Sequence, residues 1–213
     1  MISQDYKSFY FTMVKWTAKP VYFYLWCRYR LIRPSRPLSL HLGSGANYID
    51  GVLNIDGNVF ARKDVWLDLR NGLPFPDESA GWVYSCHTLE HLLPNDVLML
   101  LREIRRILTP SGYARIVVPS FEFALEIASG AVESEWPRKF QSPTAQAINY
   151  LFCDGQHAYA YSLDLMQEFV KEAGFPGIAY WEVSRSGAPR GGLECPVSLP
   201  DEPIGSLVVE LKR

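Results

Sequence analysis

From residue 38 onward, short apolar runs alternate along the chain with segments whose apolar positions recur every three or four residues. The runs that have the length and composition of buried strands are LSLHL, VLNID, DVWLDL, GWVYSC, YARIVVP, IAYWEV and SLVVELKR. Between them, NDVLMLLREIRRIL has Val97, Leu101, Ile104 and Leu108 on one face, which predicts an amphipathic helix. This alternation is typical of an α/β fold with a mostly parallel sheet.

Start and stop signals place the boundaries of several elements. TPSG predicts the end of the amphipathic helix and a turn. Ser162 is a predicted N-cap for a helix in LDLMQEFVKEAGF, and Gly174 suits the left-handed position at its end. The less regular section 120–161 predicts two helices that form a lid over the sheet. The Gly- and Pro-rich stretch between the last two strands predicts a long loop.

Residues 1–37 precede the first core strand and form a predicted helical extension, which Pro20 divides into two helices. Within the first 40 residues, seven Lys or Arg stand against one acid, Asp5, and aromatic side chains are frequent. One interpretation is a pair of accessory helices that pack their aromatic side chains onto the domain. The other is a basic, aromatic surface that contacts a membrane or an acidic, lipid-linked substrate.

The totals favour an ordinary globular protein. A chain of 213 residues predicts one domain, here residues 38–213 behind the N-terminal extension. No apolar run has the ~20 residues of a spanning helix, and no signal-peptide pattern is present. The four cysteines are widely separated, which indicates reduced thiols and a cytoplasmic location, with peripheral membrane contact through residues 1–37 as an open alternative.

Polar and glycine residues follow three successive predicted strands. The first strand ends in Gly43-Ser44-Gly45, the second in Asp56 and the third near Asp68. Ligands of open parallel sheets bind at the carboxyl ends of the strands, so a nucleoside could be held there by backbone N–H groups and two carboxylates. A nicotinamide dinucleotide fits poorly, because the fingerprint's third glycine is replaced by Tyr48 and Asp56 follows Gly45 by only eleven positions.

These features resemble class I S-adenosylmethionine-dependent methyltransferases of the type 11 group, in the branch with a shortened first crossover. The stretches that carry the resemblance are LHLGSGANYIDGVLNID, DLRNGLPFPDESAGWVYSCHTLEHL, LREIRRILTPSGYARIVVP and HAYAYSLDLMQEFVKEAGF. The resemblance implies a Rossmann-like sheet of seven mostly parallel strands, with helices on both faces and the last strand antiparallel. It also implies S-adenosylmethionine as cofactor.

The resemblance further implies a set of cofactor-binding residues. The turn Gly43-Ser44-Gly45 would pass under the methionine portion, and Asp56 would hold the ribose. Asp68 or its neighbour Leu69 would meet the adenine, and His87 would lie beside the methyl-bearing sulfonium. Many relatives carry an acid two residues before the first glycine, where this chain has His41, so how the cofactor's ammonium is held stays open.

The motif His87-x-x-Glu90-His91 has the spacing of the inverted zinc proteases. A zinc site of that kind needs the two histidines one turn apart on a continuous helix. Here His87 directly follows a strand and Pro94 comes three residues after His91, so any helix between them is short. A zinc-dependent hydrolase is therefore disfavoured, and we expect Glu90 and His91 to shape the turn into the following helix.

Transfer of a methyl group needs alignment of acceptor, methyl and sulfur, and a base assists when the acceptor loses a proton. His87 and His157 are the candidate bases. Tyr159 and Tyr161 alternate beside His157 and are candidates to orient the substrate, although packing roles would explain the same residues equally well. The sequence shows no Asp or Glu cluster that would indicate an obligatory metal, so transfer is expected to be metal-independent.

The predicted function is methylation of oxygen or nitrogen on a small-molecule or lipid-linked acceptor. A competing hypothesis is a non-catalytic subunit that keeps the cofactor fold, which the glycines and both acids argue against. Nucleic acid is not an expected partner, because the domain after residue 40 is acidic and phosphate binding needs clustered Lys and Arg. The sequence leaves the acceptor and the oligomeric state open.

Overall fold

The computed structural model describes residues 9, 12–13, 16–17, 19–31, 36–133, 140–183 and 195–213, without the side chains of residues 30, 31 and 181. Most of the first predicted N-terminal helix lies outside these residues. So does the first half of the predicted loop before the last strand.

Seven strands form one sheet, as predicted. They are β1 (Leu38–Leu42), β2 (Leu53–Asp56), β3 (Val65–Trp66), β4 (Ala80–Cys86), β5 (Leu108–Pro119), β6 (Ile178–Glu182) and β7 (Ser206–Lys212). Their order is β3-β2-β1-β4-β5-β7-β6. Strands β1 to β5 pair in parallel, whereas β7 runs antiparallel to both β5 and β6. The predicted antiparallel last strand is therefore confirmed.

Two strand boundaries differ from the predicted ones. The segment TPSG does not turn the chain away from the sheet but forms part of β5, which begins directly after the preceding helix. A register irregularity between Ala80 and Trp82 of the paired strand β4 accommodates the additional residues. Strand β3 is shorter than predicted, because the chain leaves the ladder before Asp68 and turns into a 3-10 helix at Leu69–Asn71.

The helices of the described part of the chain are α1 (Lys19–Leu31), α2 (Pro94–Ile107), α3 (Phe121–Ser129), α4 (Pro143–Phe152) and α5 (Leu163–Glu172). Pro20 lies in the first turn of α1, where its missing N–H costs no hydrogen bond. The Ser162 side chain caps α5 by accepting from the Leu165 N–H, and Gly174 has a φ of +87°, both as predicted. No described helix has the length and apolar character needed to cross a membrane.

The main core lies between one face of the sheet and helices α1, α2 and α5. Leu25 of α1, Val97 and Ile104 of α2, and Met166 of α5 all belong to this cluster of buried apolar side chains. A second cluster lies on the other face, around Trp82 and Tyr84 of β4. Its described members come from strands and irregular segments, including the partly buried Cys195, Val197 and Leu199, and none comes from α1 to α5.

The connection between the parallel neighbours β1 and β2 has only ten residues and contains no helix. The fully buried side chain of Asn54 organises it. Asn54 Oδ1 accepts from the Ile49 N–H (3.0 Å), and Nδ2 donates to the carbonyl oxygens of Ile49 (2.8 Å) and Val52 (3.1 Å). The side chain thus satisfies backbone groups that a helix would otherwise satisfy internally.

We predict that Asn54→Ala destabilises the fold by about 3 kcal/mol, because several buried backbone groups lose their partners at once. Urea unfolding of the two proteins measures the difference. Asn47→Ala is the matched control, since this exposed side chain lies in the same connection, and its effect should stay within about 0.5 kcal/mol. An equal loss of unfolding free energy in both variants would contradict the role given to Asn54.

Candidate active site

The two glycines of the turn after β1 are explained by different structural features. Gly43 has a φ of +67°, and a Cβ built on it would lie 2.2 Å from the Thr88 Oγ1. No other residue fits there, because Thr88 is itself held beside the carbonyl oxygens of Leu42, Gly43 and Cys86. Gly45 has a φ of +50°, but its Cβ direction meets no atom within 4 Å. The backbone at Gly45 therefore borders open space that a ligand could fill.

Ser44 lies between the two glycines and is buried. Its hydroxyl has no hydrogen-bond partner among the residues that the structure describes. Buried hydroxyls normally have a partner, so an orphaned one within this turn is consistent with a site that binds a polar ligand. The turn Gly43-Ser44-Gly45 is thus compatible with the methionine portion of S-adenosylmethionine.

Asp56 ends β2 and connects two turns at the carboxyl edge of the sheet. Its Oδ2 accepts from the Gly45 N–H (2.7 Å) and its Oδ1 accepts from the Asn58 N–H (2.6 Å). A carboxylate has about four acceptor positions, so capacity for a ribose diol remains. The side chain is half-buried and fixed in place, which prepares it to receive a ligand without further ordering.

Asp68 and Leu69, the predicted adenine contacts, lie in the interior of this structure. Asp68 caps the 3-10 helix through the Arg70 N–H and also binds the Arg70 guanidinium, with 2.9 Å between Oδ1 and Nε. Leu69 is buried in the main core. The structure therefore gives Asp68 an ion-pair and capping role, and its contact with adenine stays a prediction.

His41 does not point toward the glycine turn. Its ring is buried on the second face of the sheet, 5.2 Å from the Tyr84 ring, and its Nδ1 lies 3.1 Å from the Asn54 Oδ1. Burial lowers the pKa of His41 below 6.5, although the hydrogen bond to Asn54 acts in the opposite direction. His41 is therefore a neutral part of the network that shapes the β1–β2 connection.

His87 follows β4 with a φ of +49°, an uncommon conformation for a residue other than glycine. Its N–H donates to the Val117 carbonyl oxygen (2.9 Å), and its Nε2 lies 2.9 Å from the Ser206 Oγ. Burial lowers its pKa to about 4. The side chain is still 31% exposed, so it is more accessible than His157, the other candidate base. Strained backbone held by neighbours is frequent at functional sites.

Three of the four histidines surround the buried carboxylate of Glu90. Oε1 of Glu90 lies 3.4 Å from the His87 Nδ1 and 3.9 Å from the His157 Nε2. The rings of His91 and His157 meet edge to face, with 5.0 Å between centroids. Burial raises the pKa of Glu90 to about 8 and lowers that of His157 to about 4.

The second candidate base and the two tyrosines are less accessible than their sequence positions indicate. The His157 side chain is 8% exposed, and its Nδ1 lies 2.6 Å from the Leu151 carbonyl oxygen. Tyr161 is fully buried and donates its hydroxyl to the Leu89 carbonyl oxygen (3.2 Å), so it is a core residue rather than a surface for substrate. Tyr159 is half-buried beside it, with 5.8 Å between the ring centroids.

Sequence reasoning missed Thr88, Asn54 and Arg70, and it gave Glu90 only a role in the turn. The turn itself is confirmed, because Leu89–His91 form a 3-10 helix separate from α2. Thr88 and Arg70 act through contacts that no local pattern shows. Glu90 was visible as the acid of the His87 motif, but its burial depends on the segment that contains His157.

Comparison with known proteins agrees with this geometry. Residues 56–116 match the type 11 family model of the methyltransferase domain. Among solved structures, the fold is similar to a SAM-dependent methyltransferase from Archaeoglobus fulgidus (15% identity, 90% of this chain and 94% of that chain, TM-score 0.51). It is also similar to one from Thermotoga maritima (15% identity, 89% and 88%, TM-score 0.52).

A third similar structure comes from a complex between the Haloferax volcanii Trm112 methyltransferase activator and a methyltransferase (16% identity, 93% of this chain and 94% of that chain, TM-score 0.52). No curated protein matches the chain. The strand order, the antiparallel β7 and the glycine turn define the class I methyltransferase fold. Residues 56–116 therefore match the type 11 methyltransferase domain, and the chain shares the fold of these solved methyltransferases.

The two glycines should respond differently to alanine. Gly43→Ala forces a clash with Thr88 and should lower the unfolding temperature strongly. Gly45→Ala meets open space, so it should cost only about 1–2 kcal/mol for the left-handed backbone. Thermal unfolding of both variants measures the difference. Equal destabilisation would contradict the distinction between a packed and an open glycine.

His41 should make stability depend on pH. Burial lowers the pKa of His41 in the folded protein below its value in the unfolded chain. Below pH 6.5 the unfolded chain therefore binds a proton at His41 that the folded protein does not bind. The free energy of unfolding should therefore fall as the pH is lowered from about 7 toward 5. His41→Asn keeps a donor for Asn54 but cannot titrate, so its urea-unfolding stability should fall less over the same range. An unchanged slope would show that His41 does not contribute.

Proposed function

We propose that the protein transfers a methyl group from S-adenosylmethionine to an oxygen or nitrogen of a small or lipid-linked acceptor. The proposal rests on one observation: two features lie next to each other at one edge of the sheet. The open glycine turn at Gly45 lies beside the carboxylate of Asp56, and Thr88, which follows the accessible His87, packs directly on that turn. A cofactor site and a side chain for the acceptor therefore adjoin.

S-adenosylmethionine supplies the methyl group as an electrophile on its sulfonium. In this proposal the Gly43–Gly45 turn lies along the methionine portion and Asp56 accepts from the ribose hydroxyls. Asp68 or Leu69, both buried in this structure, meets the adenine. The chain's main task is to align the acceptor atom with the methyl group. His87 positions the acceptor and takes its proton, since it is the more exposed of the two candidate bases.

An apolar acceptor is supported by exposed apolar side chains on three helices. Helices α3 and α4 follow the carboxyl edge of β5 and expose Phe121, Leu125, Ile148 and Phe152. Helix α1 packs through Leu25 and exposes Phe23, Tyr24 and Trp26. Exposed apolar patches mark binding surfaces, and these fit the hydrocarbon part of a lipid-linked acceptor or the surface of a membrane.

Two variants separate cofactor binding from transfer. Asp56→Ala should weaken the binding of S-adenosylhomocysteine by about 1.5–3 kcal/mol, the loss expected for hydrogen bonds to a charged group. Calorimetry measures this, with Asp50→Ala as control because that carboxylate is 95% exposed on the same connection. His87→Ala should keep the affinity but lower methyl transfer roughly 100-fold or more.

Transfer is measured with methyl-labelled cofactor and two extracts of cells, one of lipids and one of aqueous metabolites. Label in the lipid extract supports a lipid-linked acceptor, and label in the aqueous extract supports a free small molecule. Normal cofactor binding without label in either extract would favour the non-catalytic subunit instead. If Asp56→Ala binds as well as Asp50→Ala, the ribose assignment is wrong.

A further inference from the structure

We propose that Glu90, His91 and His157 bind a divalent transition-metal ion of the zinc type. One ligand atom from each of these residues lies within 4.8 Å of the other two. The residues come from the 3-10 helix Leu89–His91 and from the segment after α4, which the fold brings together. We call these three residues the Glu90 cluster.

The carboxylate of Glu90 is the first argument for a cation. The residue is 1% exposed, and neither oxygen accepts a hydrogen bond in the described part of the chain. Its surroundings offer imidazole nitrogens at 3.4 and 3.9 Å from Oε1, but no Lys or Arg is paired with it in the described ion pairs. Buried carboxylates are normally paired, hydrogen-bonded or bound to a metal, so this one fits a metal ligand.

The two histidines are oriented as metal ligands usually are. The His157 Nδ1 lies 2.6 Å from the Leu151 carbonyl oxygen, and the His91 Nδ1 lies 3.0 Å from the Gln156 carbonyl oxygen. A carbonyl oxygen can only accept, so in the neutral ring Nδ1 carries the proton and Nε2 carries the lone pair. Backbone carbonyls fix the tautomer and the ring orientation of ligating histidines in this way.

The ligand atoms of the Glu90 cluster would have to move only a little to bind an ion. Tetrahedral zinc holds nitrogen and oxygen ligands at ~2.0–2.2 Å, which places the ligand atoms roughly 3.3–3.6 Å apart. The His157 Nε2 and Glu90 Oε1 are already 3.9 Å apart. One ligand atom of the exposed His91 already lies within 4.8 Å of the other two, so a small shift of its ring would complete the set.

The ligand set favours one class of ion. Two imidazoles and one carboxylate suit zinc and its neighbours in the first transition row, whereas magnesium and calcium prefer oxygen ligands. Three protein ligands also leave a fourth position open, as in catalytic rather than structural zinc sites. At that position the ion would take the acceptor's oxygen, a role that rests on the proposed function, whereas metal binding itself does not.

This proposal departs from the sequence-based expectation that no metal is involved. That expectation rested on the lack of an Asp or Glu cluster in the sequence, and the separate zinc-protease hypothesis considered only His87 and His91 as histidine ligands. The structure places His157 in the cluster instead, from a segment far along the chain. His87 also approaches Glu90 through its Nδ1 (3.4 Å to Oε1), but its Nε2 lies against Ser206 and it is not one of the three proposed ligands.

The test is a zinc titration of the full-length protein after removal of bound metal with a chelator. Calorimetry should show one ion per chain. Glu90→Gln and His91→Ala should each raise the dissociation constant for zinc roughly 100-fold or more, since loss of a residue that only orients a ligand already costs about 10–100-fold. Glu172→Gln is the control, because its exposed carboxylate lies on α5, outside the cluster, and it should bind zinc like the wild type.

Thermal unfolding with and without zinc adds a second readout. Zinc should raise the unfolding temperature of the wild type and of Glu172→Gln but not that of His91→Ala, which removes an exposed ring and should fold normally. Absence of stoichiometric binding at micromolar zinc, or equal affinity in His91→Ala and the wild type, would overturn the proposal. Zinc binding without S-adenosylhomocysteine binding would leave it standing while the proposed function fails.

Discussion

The short connection between β1 and β2 is the constraint on which the rest of the structure depends. Parallel neighbouring strands are usually joined by a dozen or more residues that include a helix. In this chain the connection between them has only ten residues and contains no helix. Backbone groups that a helix would pair internally need other partners. Asn54 provides them, and Asp64 holds Asn54 in turn by accepting from its N–H (2.8 Å). His41 completes this network from β1.

The same constraint determines how the cofactor turn is supported. Without a helix behind it, the turn is anchored by the strands that flank it. The N–H groups of Gly43 and Ser44 both donate to the Ile55 carbonyl oxygen, and that of Gly45 donates to Asp56. Thr88 packs against Gly43 from the end of β4. Thr88 directly follows His87, so its contact with Gly43 also connects the glycine turn to the proposed acceptor side.

Sequence patterns were sufficient to predict the features that short-range interactions along the chain determine. The seven strands, the capped helix after Ser162 and the break after His87 follow from apolar periodicity, hydrogen-bonding side chains and chain direction. Other positions make contacts that apolar periodicity does not show, with partners both near and far along the chain. Asp68 pairs with Arg70, Tyr161 packs beneath Leu89, and TPSG joins β5 because the edge of β4 accommodates it. No spacing along the chain shows these contacts.

The Glu90 cluster shows how backbone contacts connect the turn after β4 to the segment after α4. The Glu90 carbonyl oxygen accepts from the N–H groups of Ala158 (2.7 Å) and Tyr159 (3.1 Å), so the segment after α4 is tied to the turn after β4. His157 enters the cluster through this tie. An ion bound between the turn and this segment would add a second connection between the same two elements. Metal binding would therefore strengthen a connection that these backbone hydrogen bonds already make.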